Sequence, residues 1–237
     1  MSIVVVASLH GSPGATSLAV GLSACLPPAV LLEVDPAGGV LAARCGLSRE
    51  QGLVTFAADR EARGSDGLAS HAQALASGLP VLPCSESAEH TSLLLRAAGR
   101  DIAARLADAR CTVVVDVGRL GLDGLAGPIL DRAAVVLVVC RPTVDALAVL
   151  AARLPALREY RPRVVLVGDR PYGPTDVASS LDIDVESVAF DPKAVDAMWS
   201  GRGQRALPRS SFARTVAALA DQLRSELAAV THEDVVA

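Results

Sequence analysis

The chain opens on a β-branched run, Ile3-Val4-Val5-Val6-Ala7-Ser8, that breaks off at Leu9-His10-Gly11-Ser12-Pro13-Gly14-Ala15-Thr16-Ser17 and continues as an Ala/Leu-rich helical pattern to Leu26. A buried strand, a glycine-punctuated turn and a helix in direct succession gather backbone N–H groups and a helix N-terminus at one point, which suits phosphate. The turn is a P-loop candidate that departs from G-x-x-x-x-G-K-[ST], because Ala15 stands where the lysine belongs. By itself such a turn is equally compatible with a plain strand-to-helix connection.

Further short apolar runs follow at Ala29 to Val34, Leu79 to Leu82, Thr112 to Val117, Ala134 to Cys140, Val164 to Val167 and Val185 to Phe190. Helical patterns lie between or after them at Val40 to Cys45, Ala88 to Ala109, Gly124 to Asp131, Thr143 to Tyr160, Thr175 to Leu181 and Ser211 to Ala228. This alternation predicts an α/β fold, a mostly parallel sheet flanked by helices in a three-layer sandwich, with ligand-binding loops at the strand ends. Leu47 to Gly78 reads as a surface excursion, with helical pieces at Leu53 to Asp59 and Leu68 to Ala76 around a charged joint at Arg60 to Gly67. One domain over residues 1–230 and a flexible tail over residues 231–237 are expected.

Composition narrows the function classes. Hydrophobic residues make up 51% of the 237, so a sizeable core forms without staples. The longest apolar run, Ala133 to Cys140, falls far short of the ~18 residues that suggest a membrane span. The apolar start lacks the basic segment of a signal peptide, so a cytoplasmic protein without membrane insertion is expected. Cys25, Cys45, Cys84, Cys111 and Cys140 show no C-x-x-C spacing, and the four histidines form no metal-binding pair. Of 22 basic residues only Lys193 is a lysine, far along the chain from the glycine turn.

Two more strand ends carry acids. Glu33-Val34-Asp35-Pro36-Ala37-Gly38-Gly39 places two carboxylates at the end of the second run, where a solvated strand end with a Pro/Gly turn is the plainer reading. Cys111-Thr112-Val113-Val114-Val115-Asp116-Val117-Gly118-Arg119 is an apolar strand ending in an aspartate, the form of a Walker B strand.

Taken in order, these stretches resemble the MinD/ParA family of deviant P-loop ATPases over nearly the whole chain. The family's K-G-G-x-G-K-T-T is similar to His10-Gly11-Ser12-Pro13-Gly14-Ala15-Thr16-Ser17, and its D-x-D-P-Q-G-N to Glu33 through Gly39. Its hydrophobic-D-x-P-P strand is similar to Val115-Asp116-Val117-Gly118-Arg119, and its A-D-x-V-L-V-P-V-x-P segment to Asp131 through Thr143. Gly168-Asp169-Arg170-Pro171-Tyr172 and Val188-Ala189-Phe190-Asp191-Pro192 resemble its two adenine-side loops.

The resemblance implies roles for individual residues. His10, Gly11, Ser12, Pro13, Gly14, Ala15, Thr16 and Ser17 would form the nucleotide loop, Thr16 and Asp116 would hold Mg²⁺, and Asp35 would orient the attacking water. Asp169, Phe190 and Pro192 would face the base, adenine being preferred. Both family lysines are gone: Ala15 replaces the phosphate-binding one and His10 the signature one, while the Pro-Pro after Walker B is Gly118-Arg119. ATP or ADP with Mg²⁺ is therefore expected to bind weakly or not at all, and the catalytic role of Asp35 to be vestigial. Arg119 and Arg141 are strand-end candidates for the missing charge, solvated surface arginine being the blander account. The degenerate loop also resembles the TadZ/CpaE-like group. That likeness implies a non-enzymatic positioning or assembly factor, a homodimer at most weakly responsive to ATP, with partners in pilus or secretion machinery.

Two alternatives stand beside this. An active ParA-like partitioning ATPase would bind DNA through arginines at 153, 158, 161, 163 and 170 or at 202, 205, 209 and 214, although the formal net charge of −4 argues for surface decoration. A Rossmann dinucleotide protein would use Glu33 on a ribose, but Pro13 adds bulk and removes an N–H where backbone must approach a pyrophosphate.

Overall fold

The computed structural model describes residues 2–11, 13–121, 123–200 and 207–236, with side chains to residue 228. Ser12, Arg202 and Arg205 lie outside the described residues. The elements run β1 (Ser2–Ser8), α1 (Ala15–Cys25), β2 (Ala29–Glu33), α2 (Leu41–Cys45), α3 (Leu53–Ala58), α4 (Gly64–His71), β3 (Gln73–Ala74), β4 (Pro80–Leu82) and α5 (Ala88–Ala107). They continue as β5 (Thr112–Arg119), α6 (Gly127–Leu130), β6 (Val135–Cys140), α7 (Val144–Leu157), β7 (Arg163–Val167), α8 (Pro174–Leu181), β8 (Val185–Val188), α9 (Pro192–Ser200) and α10 (Ser211–Val236).

Among the described residues eight strands form one sheet in the order β3-β4-β2-β5-β1-β6-β7-β8, parallel except where β3 pairs antiparallel with β4. This is the expected mostly parallel sandwich. Along β1 the side chains alternate between two cores. Val4 and Val6 pack with Leu18, Leu22, Phe212 and Leu223 of α1 and α10, whereas Ile3, Val5 and Ala7 pack with residues of α3 to α8, including Phe56, Ile102 and Leu150. A strand buried on both faces needs an unbroken apolar run, which is what β1, β5 and β6 supply.

Strands β1 and β5 are direct neighbours, so the glycine turn and the Asp116 strand end emerge side by side. Their register slips after Val6↔Asp116 to Ala7↔Gly118 and Ser8↔Arg119. Val117 is thus the extra residue of a β-bulge, the device by which a strand end re-aims its next side chains.

The excursion differs from its sequence reading. Its second helix is α4, which occupies much of the expected joint, and Gln73–Ala74 is a strand where helix was expected. It also buries Leu53, Phe56 and Leu68 rather than lying on the surface. Arg105 of α5, fully buried, explains the docking: its Nη1 donates to the carbonyls of Phe56 and Asp59, both at 2.8 Å, and its guanidinium stacks on the Phe56 ring at 4.4 Å. These bonds hold α3 and the joint after it, while α4 is held by Leu68 in the core and by Ser65, whose Oγ accepts the Arg110 N–H at 2.8 Å; such long-range ties override the weak helix propensity of Gly64 and Gly67. Helix α9 was not anticipated, and α10 runs on past Ala228 into the expected tail.

Candidate functional site

The ends of the central strands open on a cavity of about 710 Å³. Gly11, Pro13, Gly14, Ala15, Thr16 and Ser17 line it from the turn, Asp35, Gly118, Arg119 and Arg141 from strand ends, and Val188 through Pro192 with Trp199 from β8 and α9. Gly14 caps α1 with left-handed backbone at φ 107, and no side chain caps the helix. Its first helical bond runs from Leu18 N–H to Gly14 O at 2.9 Å, so the amides of Ala15, Thr16 and Ser17 precede any intrahelical partner. Uncapped amides at a glycine turn are an anion cradle.

Beneath this cradle lies Asp116, only 1% exposed. Its Oδ1 accepts the Gly118 N–H at 2.9 Å, but Oδ2 has no hydrogen-bond partner, although the Thr16 hydroxyl is its side-chain neighbour. Burial, above all, pushes the carboxyl up to about 7; Thr16 and the Gly118 N–H oppose the shift, while Glu33 and Asp35 add to it. An orphaned buried acceptor beside Thr16, which lines the cavity where Asp116 itself does not, fits a hard cation such as Mg²⁺.

Asp35 is half-buried, and its Oδ1 accepts the Ala37 N–H at 2.8 Å. Desolvation raises its pKa, while the Ala37 N–H and the Arg119 backbone N–H and guanidinium pull it down. It packs against Gly118, whose backbone is left-handed at φ 61 and where a Cβ would overlap the Asp35 carboxylate. Only glycine suits both demands.

Glu33 proves structural. At 1% exposure, its Oε1 accepts from the Val40 and Leu41 N–H groups at 2.7 and 3.1 Å, and its Oε2 from Cys84 N–H at 3.1 Å. The three bonds anchor the turn before α2 to β2 and the end of β4. A carboxylate so occupied cannot reach a ribose, which removes the acid that the dinucleotide alternative required.

The remaining expected residues divide. Phe190 and Pro192 line the cavity, and Arg141 stacks on the Phe190 ring at 3.9 Å. Asp169 is exposed and is not among the lining residues. His10 is exposed and lies 3.4 Å from Asp145 on the first turn of α7, likewise away from the cavity wall. Lys193 is exposed on α9 and does not line it either.

Sequence reasoning missed Trp199 and Arg44. The Trp199 Nε1–H donates to Ser17 Oγ at 3.3 Å, and the Arg44 guanidinium stands 4.9 Å over the indole. A signal was present: Asp191-Pro192 is a helix start, with Asp191 Oδ1 accepting the Ala194 N–H at 3.0 Å, and it projects Trp199 two turns on. Two of the arginines that the partitioning alternative would use are engaged within the chain. Arg153 donates to the carbonyls of Leu120 and Gly121, and Arg163 pairs with Glu226 at 2.8 Å.

No family model matches the chain, and no curated protein matches it. Solved structures do. A ParA family ATPase from Chlorobium tepidum TLS aligns at TM-score 0.78 and 15% identity over 92% of this chain and 97% of its own. The septum site-determining protein MinD complexed with Mg-ADP from Pyrococcus horikoshii OT3 aligns at 0.71 and 16%, over 94% and 95%. The chain has the MinD/ParA-like P-loop fold. A putative plasmid partition protein from Borrelia burgdorferi B31 bound to AMPPNP shares this fold at TM-score 0.61 and 12% identity, over 94% and 99%. The order β2-β5-β1 in this sheet brings the turn, Asp35 and Asp116 side by side. No described helix is long and apolar enough to cross a membrane.

Proposed function

We propose that this chain binds an adenine nucleotide with Mg²⁺ and does not hydrolyse it, acting as a positioning or assembly factor. The observation that carries the reading is the unpartnered Oδ2 of buried Asp116 beside Thr16, under an uncapped glycine turn that opens on the cavity. The turn amides and the α1 N-terminus would hold phosphate, Thr16 and Asp116 would hold the cation, and Phe190, Pro192 and Trp199 would border the base. Mg²⁺ would supply neutralisation of phosphate charge. Asp35 faces Arg119 and Gly118 and would orient water.

Loss of turnover follows from the missing cations. Phosphoryl transfer is stabilised by preorganised positive groups, and removing one such group typically costs about 10² to 10³ in rate. Ala15 has no charge to give, and His10 is paired with Asp145. The MinD and partition-protein structures contain Mg-ADP and AMPPNP, which favours the nucleotide class. The resemblance to TadZ/CpaE-like proteins supports a homodimeric role in pilus or secretion machinery over partitioning, since Arg153 and Arg163 are engaged internally.

The chain's single tryptophan lines the cavity, so its fluorescence reports occupancy directly. Titration with Mg-ADP and Mg-ATP is expected to change Trp199 emission saturably, while phosphate release stays at the buffer blank. Absence of any nucleotide response would refute the binding reading, and release that Asp35→Ala abolishes would refute the non-enzymatic one.

A further inference from the structure

Resting on the nucleotide reading above, we propose that Arg119 is the phosphate-binding cation of this site, reaching the turn from the neighbouring strand to do what a lysine at position 15 cannot. Arg44, Arg119 and Arg141 line the cavity among the described residues, and their positions separate them. Arg141 is stacked on Phe190 at 3.9 Å and Arg44 stands over Trp199 at 4.9 Å, both against aromatic rings of the β8–α9 side. Arg119 instead reaches the glycine turn, its Nη2 donating to Gly11 O at 3.1 Å.

The cause is the bulge. By pairing Ser8 with Arg119, the slipped register of β1 and β5 sets the arginine beside the last residue of β1, where the chain enters the turn. Gly118 permits the bulge with its left-handed backbone, and its missing side chain lets Asp35 pack alongside. Gly118-Arg119 therefore stands as a working pair: the glycine makes the turn and the arginine delivers the charge. A guanidinium carries five N–H donors in a planar fork suited to phosphate oxygens, and the Gly11 carbonyl engages one of them. Arg119 also lowers the pKa of Asp35, which puts its charge among the acids that phosphate would otherwise meet. Ground-state binding would recover by this route, whereas the position of His10 gains nothing and hydrolysis stays absent.

The test uses the full chain, with Trp199 emission read against Mg-ADP, Mg-ATP and AMP, and equilibrium dialysis as a second measure. Arg119→Ala should weaken ADP and ATP binding by about ten- to a hundred-fold, the value of a charge-assisted hydrogen bond, and flatten its salt dependence. Arg119→Lys should lose less, Arg158→Ala on another surface nothing, and Ala15→Lys added to Arg119→Ala should restore affinity. If Arg119→Ala destabilises the fold, Arg119→Lys and Arg119→Gln compared at equal folded fraction carry the same contrast of charge. Wild-type binding that Arg119→Ala and Arg119→Gln leave within twofold overturns the assignment while the nucleotide reading stands. A wild-type chain that binds no nucleotide by either measure overturns both.

Discussion

Glu33 and Asp116 are register partners at the ends of β2 and β5, both buried to about 1% exposure, and they do opposite work. Around Glu33 the chain has wrapped three backbone N–H groups, so the carboxylate is satisfied and holds the turn before α2 to the end of β4. At Asp116 one oxygen is satisfied and the other is not. Desolvation raises both pKa values, so burial alone does not separate a structural acid from a site acid. The unused acceptor marks the difference, because an unpartnered buried carboxylate oxygen is uncommon in an interior and a bound cation would account for it.

The largest effect is expected from Glu33→Ala. Three donors would be left without an acceptor at about 1–3 kcal/mol each, so urea unfolding should show a loss of about 4 kcal/mol. Nucleotide affinity of the folded fraction should change far less. A variant of normal stability that failed to bind would erase the contrast between the two strand ends.

Asp116→Asn should act in the reverse sense. Because the folded-state pKa of Asp116 is raised to about 7, the folded protein keeps a proton that the unfolded chain releases near the ordinary carboxylate value. The stability this group contributes is therefore fully present at low pH and falls as pH rises to about 7. Glu33 and Asp35 shift in the same direction, so the wild-type curve alone does not isolate it. The difference does: Asp116→Asn should exceed wild type by up to about 4 kcal/mol at pH 8 and converge with it near pH 4, while losing Mg²⁺-dependent nucleotide binding. Thermal melts across that range would count against the orphaned-acid reading if the two proteins ran parallel.

Gly118→Ala is expected to be the mildest. Left-handed backbone costs an L-residue about 1–2 kcal/mol, and the added methyl would displace the Asp35 carboxylate. Melting temperature should fall modestly and nucleotide affinity fall with it, since Arg119 is carried on the same bulge. Unchanged affinity would show that the bulge does not position Arg119.

Much of this was legible in the linear chain because it depends on local pattern. The β-branched runs at Ile3 to Ser8, Thr112 to Val117 and Ala134 to Cys140 predict strands buried on both faces, and the strand ends present the turn, Asp35 and Asp116 in order. Helix α9 was legible in principle from Asp191-Pro192 but is short and weakly apolar. Helix α4 was not, since Gly64 and Gly67 disfavour it and distant contacts hold that region: Leu68 in the core, Ser65 against Arg110, and Arg105 on the carbonyls of Phe56 and Asp59 just before it.

Fold class, buried strands and the residue types at their ends follow from local pattern, because periodicity and turn chemistry act over a few neighbouring residues. What those end residues do depends on contacts made in three dimensions. Glu33 became structural through Cys84, 51 positions away, and Arg119 reached Gly11 across 108 positions through a one-residue slip in strand register. Hydrogen-bond satisfaction and charge placement are set by which strands become neighbours and in what register, and no local window of sequence carries that information.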